Sequence, residues 1–394
     1  METPHTLNNG SRFAIWVLVL FTMLPPTIGM ATGINKEIQT SDEIANELNY
    51  LLTFVGPSHA DFRSLKTDKI VEVMKFVTAK KEKGVLYFPD DMDGITSTYY
   101  EVDVARSLGQ ILQLTDNPEI PSVFTAPSSI RLSRWKAIDT PNHQRPKLWE
   151  QLSKLNDPVC FSGIENVVNT PDETTGTYYQ YDLYRSVILT QFNGRNLLIS
   201  LSKKVGISNV GRKGLIISGD DQWNYYYSNE AGLNRAGFGW VDSYMYDSKS
   251  VAFYLEDAPA GNTVRVGVFK WLRAGWSGIN FVKRSHIYDG LDRFTSVFKV
   301  IVEHPSILDT ATWIDTLLEI QRLPKDQLQP IVRNYFQNVQ NQAQRDGTLS
   351  SDELKVMSID GQYMDSMGRD EMQSILIVEF LKQLLGKHSQ IKLK

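Results

Sequence analysis

The chain has 394 residues, of which 42% are hydrophobic and 22% charged, and its net charge at pH 7 is −4. These values are ordinary for a packed protein and exclude wholesale disorder. A mildly acidic chain without basic runs is also a poor candidate for binding nucleic acid or an anionic membrane surface, because both depend on clustered lysine and arginine.

The first 31 residues have the pattern of a signal peptide. Arg12 precedes an apolar run, Phe13 to Leu24, which Pro25 and Pro26 end. The run has 12 residues, whereas a membrane span needs about 20. Gly29 and Ala31 are small residues at the positions that signal peptidase requires. We therefore predict cleavage after residue 31, an extracytoplasmic (periplasmic or secreted) protein, and no stable membrane span after cleavage. The alternative is an uncleaved anchor.

Residues 32–150 are predicted to form a helical region. Apolar residues at helical spacing indicate one helix near 41–52, a second over 70–77 and a third from Tyr99 to Leu114, with a short strand at Val85 to Phe88. Five prolines between Asp116 and Pro146 predict a long irregular connection, because each proline removes a backbone donor.

Residues 151–277 are predicted to form an antiparallel β region. Asn193-Gly194, between two β-prone segments, is the preferred pair for a type I′ hairpin turn. A second hairpin is expected where 251–255 and 264–268 flank a turn; Val264, Val266 and Val268 alternate as in a half-buried strand. A further short strand is expected at 215–217. Cys160, the only cysteine, is predicted to be a buried, unreactive thiol.

Residues 278–394 are predicted to be mainly helical, with helices at 307–323, 328–344 and 370–385. The sequence thus predicts an α+β protein, with a central antiparallel β-sheet flanked by N-terminal and C-terminal helical regions. Because strands and helices are segregated along the chain, we expect the helices to cover one face of the sheet.

The density of aromatic residues is the best functional signal. Between Trp223 and Phe281 there are 14 aromatic residues in 59, about twice the average of the chain. Aromatic faces beside carboxylates and carboxamides can stack on sugars or line an apolar cavity. The alternative is a large aromatic core. The candidate ligand-binding residues are Trp223, Tyr225, Tyr227, Trp240, Trp271 and Trp276.

Four other patterns are too incomplete to assign chemistry. Gly347 and Glu353 fit the second half of an EF-hand loop, but Gln342 and Gln344 stand where its first half needs carboxylates. The remaining three are the acidic cluster Asp90, Asp91 and Asp93, the adjacent acids Asp220 and Asp221, and the pair Ser277 and His286. We therefore predict no catalytic residue, no metal site and no cofactor.

Three functions agree with these patterns. The first is an exported, non-enzymatic binding protein for a small lipid-like or saccharide ligand. The second is an exported glycoside or ester hydrolase whose site is assembled from distant residues. The third is an assembly component of the cell envelope, which would present an exposed apolar patch on the last helix. The sequence leaves the oligomeric state open.

Overall fold

An antiparallel sheet of seven strands lies at the centre of the protein, in a computed structural model that describes residues 33–92, 94–235, 239–350 and 361–393. The strand order across the sheet is β3-β14-β13-β8-β7-β5-β4, and every neighbouring pair is antiparallel. The predicted α+β class with a central antiparallel sheet is therefore confirmed. The predicted signal peptide, residues 1–31, lies outside the described residues.

In the described part of the chain, three small sheets accompany the central one. They have the orders β1-β2, which is parallel, β10-β9-β6 and β11-β12. The strands are β1 Lys36–Gln39, β2 Val85–Phe88, β3 Thr96–Val104, β4 Ile130–Ile138, β5 Val159–Asn169, β6 Thr177–Tyr178, β7 Gln180–Phe192, β8 Arg195–Val205, β9 Arg212–Ile217, β10 Asn224–Ala231, β11 Leu233–Arg235, β12 Gly239–Val241, β13 Tyr244–Glu256 and β14 Val264–Gly275.

Helices precede, interrupt and follow the strands along the chain. Residues Ile34–Lys394 form one compact unit. Among the described residues, the α-helices are α1 Asp42–Leu52, α2 Val71–Thr78, α3 Leu108–Thr115, α4 Ser122–Thr125, α5 Leu148–Gln151, α6 Arg284–Glu303, α7 Pro305–Leu308, α8 Ile314–Arg322, α9 Lys325–Asp346, α10 Gly361–Ser366 and α11 Arg369–Leu384.

Both predicted hairpins are present. Asn193 and Gly194, with φ angles of 50° and 73°, connect β7 to β8, so that Phe192 pairs with Arg195. This is the left-handed pair that a type I′ turn requires. Glu256 at the end of β13 pairs with Val264 at the start of β14, as the second hairpin requires.

Helices cover both faces of the sheet, so the expectation of one covered face is wrong. Phe269 and Trp271 of β14 pack with α1 and α2 on one face, here called the α2 face. Val264, Val266 and Val268 of the same strand belong to a second cluster with α3, α6, α9 and α11, on what we call the α6 face. The N-terminal and C-terminal helices therefore pack on opposite faces, which chain order alone does not specify.

The predicted helix from Tyr99 to Leu114 is wrong in its first half. Thr96–Val104 is an edge strand paired with β14, and the helix begins only at Leu108. Ser107 and Gln110 form the capping box that starts it. Ser97, Tyr99 and Glu101 alternate as residues on one face of a strand do. Val104 and Leu108 are four residues apart, as in a helix, but Val104 belongs to the strand and Leu108 to the helix.

The irregular connection predicted for 116–146 is also wrong, because it contains α4 and the nine-residue strand β4. Pro127 and Pro141 lie outside β4, which is the other edge strand of the sheet. Prolines thus delimit this strand without interrupting its ladder.

The C-terminal helices match their predictions more closely. The helix expected at 307–323 is divided into α7, a 3₁₀ turn and α8, whereas α9 and α11 extend over nearly the predicted residues. Met372, Leu376 and Leu381 of α11 are fully or almost fully buried in the cluster of the α6 face. The apolar stripe of α11 therefore packs on the protein's own core.

Candidate functional site

A cleft of about 280 Å³ lies on the α6 face near the end of β14, and we call it the aromatic cleft. Its apolar lining comes from strands β13 and β14 and from the loop that follows β14. Its polar lining comes from the loop after β5 and from α6. The apolar members are Met245, Leu272, Ala274, Trp276, Phe281 and Val282, and the ionisable members are Asp172, Glu173, Tyr179, His286, Asp289 and Arg293.

Trp276 and Phe281 form the aromatic wall of the cleft. Their rings stack with centroids 3.7 Å apart and an interplanar angle of 15°. Asn280 fixes the loop between them, because its Oδ1 accepts from Ala274 N at 3.3 Å and its Nδ2 donates to Thr96 Oγ1 at 3.0 Å. Gly275 is needed here, since a Cβ atom at this position would lie 2.1 Å from the carbonyl oxygen of Ile279. The wall is thus held in place by backbone and carboxamide contacts.

The opposite rim of the cleft is acidic. The Asp172 carboxylate accepts from the backbone N–H of Thr174 at 2.9 Å and of Thr175 at 2.7 Å, and these bonds hold the loop in its turn. Desolvation and the nearby Asp220 carboxylate raise the pKa of Glu173. The cleft therefore combines an apolar wall and floor with carboxylates at its rim.

Arg293 joins this rim to the strands behind it. Its guanidinium forms an ion pair with Asp220 and donates to the carbonyl oxygen of Pro171 at 3.1 Å. The hydroxyl of Tyr225 donates to the same Asp220 carboxylate at 2.7 Å. Tyr225, one of the predicted ligand-binding residues, thus lies behind the cleft and supports the arginine that orients its rim.

The structure places the six predicted residues in different surroundings. Trp276 lines the cleft. Trp271 is buried on the α2 face, and its indole Nε1 donates to the carbonyl oxygen of Asp90 at 3.0 Å. Trp240 belongs to β12, and its side chain is outside the described residues.

Trp223, Tyr225 and Tyr227 are buried together on the α6 face. They border a second cavity of only about 20 Å³, which is room for about one water molecule. The Arg131 guanidinium lies 3.8 Å above the ring of Tyr227, and Lys387 Nζ lies 4.8 Å from the ring of Trp223. Only Trp276, among the predicted residues with described side chains, therefore contacts a cavity large enough for an organic ligand.

The other sequence candidates do not assemble into a catalytic or metal centre in the described part of the chain. Asp220 and Asp221 lie in a 3₁₀ turn, not on a strand. Ser277 and His286 make no hydrogen bond with each other. Asp91 accepts from Ser97 N at 2.9 Å and pairs with Arg284. Within the described ranges, no three His, Cys, Asp or Glu side chains could hold a metal ion.

Two further sequence predictions concern single residues. Gly347 ends α9 with a φ of 61°, while Glu353 of the EF-hand comparison and Asp93 of the acidic cluster lie outside the described residues. Cys160 is partly buried, and desolvation raises the pKa of its thiol to about 12, as expected for an unreactive cysteine.

Sequence analysis missed a line of polar side chains across the α6 face, which we call the polar row. The strand register places Lys270 opposite Thr98 and Ser250, Ser250 opposite Ser202, and Ser202 opposite Arg185. The hydroxyls of Ser202 and Ser250 are 2.6 Å apart. The sequence does contain a sign of this row. Val264, Val266 and Val268 alternate on one face of the strand, and the next residue on that face is Lys270.

Lys270 is the most unusual member of the polar row. Its Nζ donates to Ser248 Oγ at 2.8 Å, and among the described residues no carboxylate forms a salt bridge with it. Burial lowers the pKa of Lys270 to about 8, with a smaller contribution in the same direction from Arg185 and an opposing one from Asp247. A perturbed lysine of this kind is typical of a functional site.

Another cavity, of about 190 Å³, lies on the same face and is lined in part by Arg185. Asp116, Arg145, Glu165 and Arg185 converge on it between aromatic walls. Arg185 forms an ion pair with Glu165 and donates to Ser200 Oγ at 3.2 Å. Burial raises the pKa of Asp116, although the Arg145 guanidinium opposes this shift. Two arginines and two carboxylates thus line this cavity, at the Arg185 end of the polar row.

Neither the helices nor similarity to known proteins adds a functional assignment. In the described part of the chain, no helix is long and apolar enough to cross a membrane. No protein-family model matches the sequence, and no curated protein and no solved structure is significantly similar to it.

Proposed function

We propose that the protein is an exported, non-enzymatic binding protein that holds a small lipid-like ligand in the aromatic cleft. The observation that carries this proposal is the geometry of the cleft, where stacked Trp276 and Phe281 face aliphatic side chains of β13 and β14. Ligand sites are commonly concave and mostly apolar, with a few convergent polar groups. At about 280 Å³ the cleft suits one small molecule.

The chemistry of the lining favours a lipid-like ligand over a saccharide. Met245, Leu272 and Val282 offer no hydrogen bonds to the many hydroxyls of a sugar, and burying those hydroxyls without partners costs free energy. The ionisable side chains, among them Glu173 and Asp289, are at the rim and leave the apolar lining free for a hydrocarbon chain. The hydrolase and envelope-assembly alternatives remain predictions, and the α11 stripe on which the latter depended is buried.

The first prediction tests the cleft directly. The protein is purified from its native host, and bound small molecules are extracted and identified by mass spectrometry. We expect about one lipid-like molecule per chain. A Trp276→Ala variant should bind the ligand about tenfold or more weakly, because removing a central aromatic contact typically has this effect. Binding is then quantified with 1-octanol by calorimetry.

The matched control is Ile207→Ala. Ile207 is 64% exposed and does not line the cleft, so this variant loses surface hydrophobicity without altering the proposed site. It should bind like the unaltered protein. Absence of any bound lipid together with no binding of 1-octanol, or equal losses in both variants, would contradict the proposal.

A further inference from the structure

Lys270 is two residues before Leu272 on β14, at the side of the aromatic cleft that we call its inner end. Its Nζ is bonded to Ser248 Oγ at 2.8 Å, and Ser248 is directly opposite Leu272 in the β13–β14 ladder. Leu272 is one of the strand residues that line the cleft. The hydrogen bond therefore holds the ammonium at Ser248, next to the strand position of a residue that lines the cleft.

The neighbourhood of this ammonium has unused hydrogen-bonding capacity. Lysine has three N–H donors, and the hydrogen bond to Ser248 uses one of them. Thr98, the register partner of Lys270 on β3, is fully buried, and its Oγ1 has no hydrogen-bond partner among the described residues. Buried polar groups normally have partners, and both of these side chains can donate a hydrogen bond to an acceptor beside them.

We infer that the ammonium of Lys270 binds the carboxylate of a lipid-like acid whose chain occupies the aromatic cleft, an inference that rests on the proposed function. No described carboxylate forms a salt bridge with Lys270, although Asp247 stabilises its ammonium from a greater distance, and a bound carboxylate would supply a direct ion pair. Arg185, the next cation of the polar row, is already paired with Glu165 and bonded to Ser200. Among the described members of the polar row, Lys270 is the cation without an ion pair, and one positive charge suits one carboxylate better than a doubly charged phosphate.

The charged groups around Lys270 each have a direct hydrogen-bond or ion-pair partner of their own. Lys204 on β8 donates to the carbonyl oxygen of Gly206, and Asp247 on β13 accepts from Ser248 N at 2.7 Å. On α6, Asp292 accepts from the Tyr100 hydroxyl at 2.5 Å, and Arg293 is paired with Asp220. The acids at the outer rim would repel a carboxylate left at the mouth, which favours placing the head group at the inner end.

The second prediction compares three ligands of one chain length: octanoate, 1-octanol and octylamine. Calorimetry at pH 7 on the complete purified protein should give the tightest binding for octanoate, by about tenfold or more over 1-octanol, as for a hydrogen bond to a charged group. Lys270→Met should reduce octanoate binding to the level of 1-octanol and leave 1-octanol binding unchanged. Lys203→Met, on the opposite face of β8, is the charge-matched control and should keep the preference.

The same preference should depend on pH. The pKa of Lys270 is about 8 in the unliganded protein, so its ammonium is present below that pH and is lost above it. The preference for octanoate should therefore fall about tenfold or more between pH 7 and pH 9.5, because only the protonated fraction binds the anion. Lys270→Arg, which stays charged, should retain it at pH 9.5.

The outcomes separate the two proposals. If none of the three ligands binds, the proposed function fails. If 1-octanol binds but octanoate binds no more tightly, or octylamine binds most tightly, the assignment of Lys270 is overturned while the binding function stands. A preference that does not change with pH in the unaltered protein would also overturn it, even if Lys270→Met failed to fold.

Discussion

Lys382 and Glu379, one turn apart on α11, form an ion pair whose side chains are each only 1% exposed. Lys382 Nζ donates to Glu379 Oε1 at 2.5 Å and to Asn224 Oδ1 at 2.6 Å. The second carboxylate oxygen accepts from Ser389 Oγ at 2.9 Å. Burial lowers the pKa of Lys382, while Glu379 opposes the shift. This pair connects α11 to β10 and to the last residues of the described chain.

The third prediction concerns this pair. Lys382→Met should lower the free energy of unfolding by about 3–5 kcal/mol, because it leaves a buried carboxylate without its counter-charge. Adding Glu379→Gln should recover at least half of that loss, since the glutamine is neutral and its carbonyl oxygen still accepts from Ser389. Urea denaturation of both variants measures the difference. A single variant as stable as the parent protein would show that the pair contributes nothing to stability.

Single residues differed in how far the sequence revealed them. Trp276 was identifiable because it is part of a dense aromatic segment, and Lys270 could have been found as the polar continuation of an alternating strand. Lys382 could not, because a lysine on an amphipathic helix normally faces solvent. Its burial depends on Asn224, which is distant in the chain. The role of Tyr225 as a support of Arg293 likewise depends on a long-range contact.

At the scale of elements, the β7–β8 hairpin was the most readily predicted feature. Its turn needs two left-handed residues, and asparagine and glycine adopt that conformation more readily than other residues. The long ladder from Asp182↔Val205 to Phe192↔Arg195 then follows from the turn. This hairpin supplies Arg185 and Ser202, so its register also sets the polar row.

The fourth prediction tests the turn. Gly194→Ala should lower the free energy of unfolding by about 1–2 kcal/mol, because alanine is disfavoured at a φ of 73°. No atom lies within 4 Å of the added Cβ, so the cost comes from backbone conformation and not from a clash.

Gly290→Ala is the contrasting variant. Gly290 lies in α6, and there too the added Cβ has no atom within 4 Å. Alanine is the better helix former, so this change should raise stability by up to about 1 kcal/mol. Thermal denaturation measures the change in stability of both variants. Equal changes for the two substitutions would exclude a specific conformational role for Gly194.

Elements with weak local signals were assigned incorrectly for a common reason. β3 and β4 are the two edge strands, and their placement depends on pairing with β14 and β5. The spacing of Val104 and Leu108 fits a helix, although Val104 is in a strand. The prolines near β4 predict an irregular segment, although the strand ends before Pro141. Tertiary pairing overrides such local preferences. The central strands β8, β13 and β14 were predictable because alternation and turns agree.

At the scale of the whole molecule, the described residues form two hydrophobic clusters that share one sheet. The α2 face carries Leu48 and Trp271, and the α6 face carries Leu376 and Trp313, all of them buried. Strands β7, β8, β13 and β14 contribute alternate residues to both clusters. Disrupting the packing of either cluster would therefore expose one face of these strands and destabilise the cluster on the other face.

The fifth prediction follows from this shared sheet. Urea unfolding, followed by far-ultraviolet circular dichroism and by tryptophan fluorescence, should show one transition at the same midpoint. Leu48→Ala on the α2 face and Leu376→Ala on the α6 face should each cost about 2–5 kcal/mol and shift that entire transition. Two separated transitions, with each substitution moving only one of them, would mean that the clusters of the α2 face and the α6 face unfold as independent units.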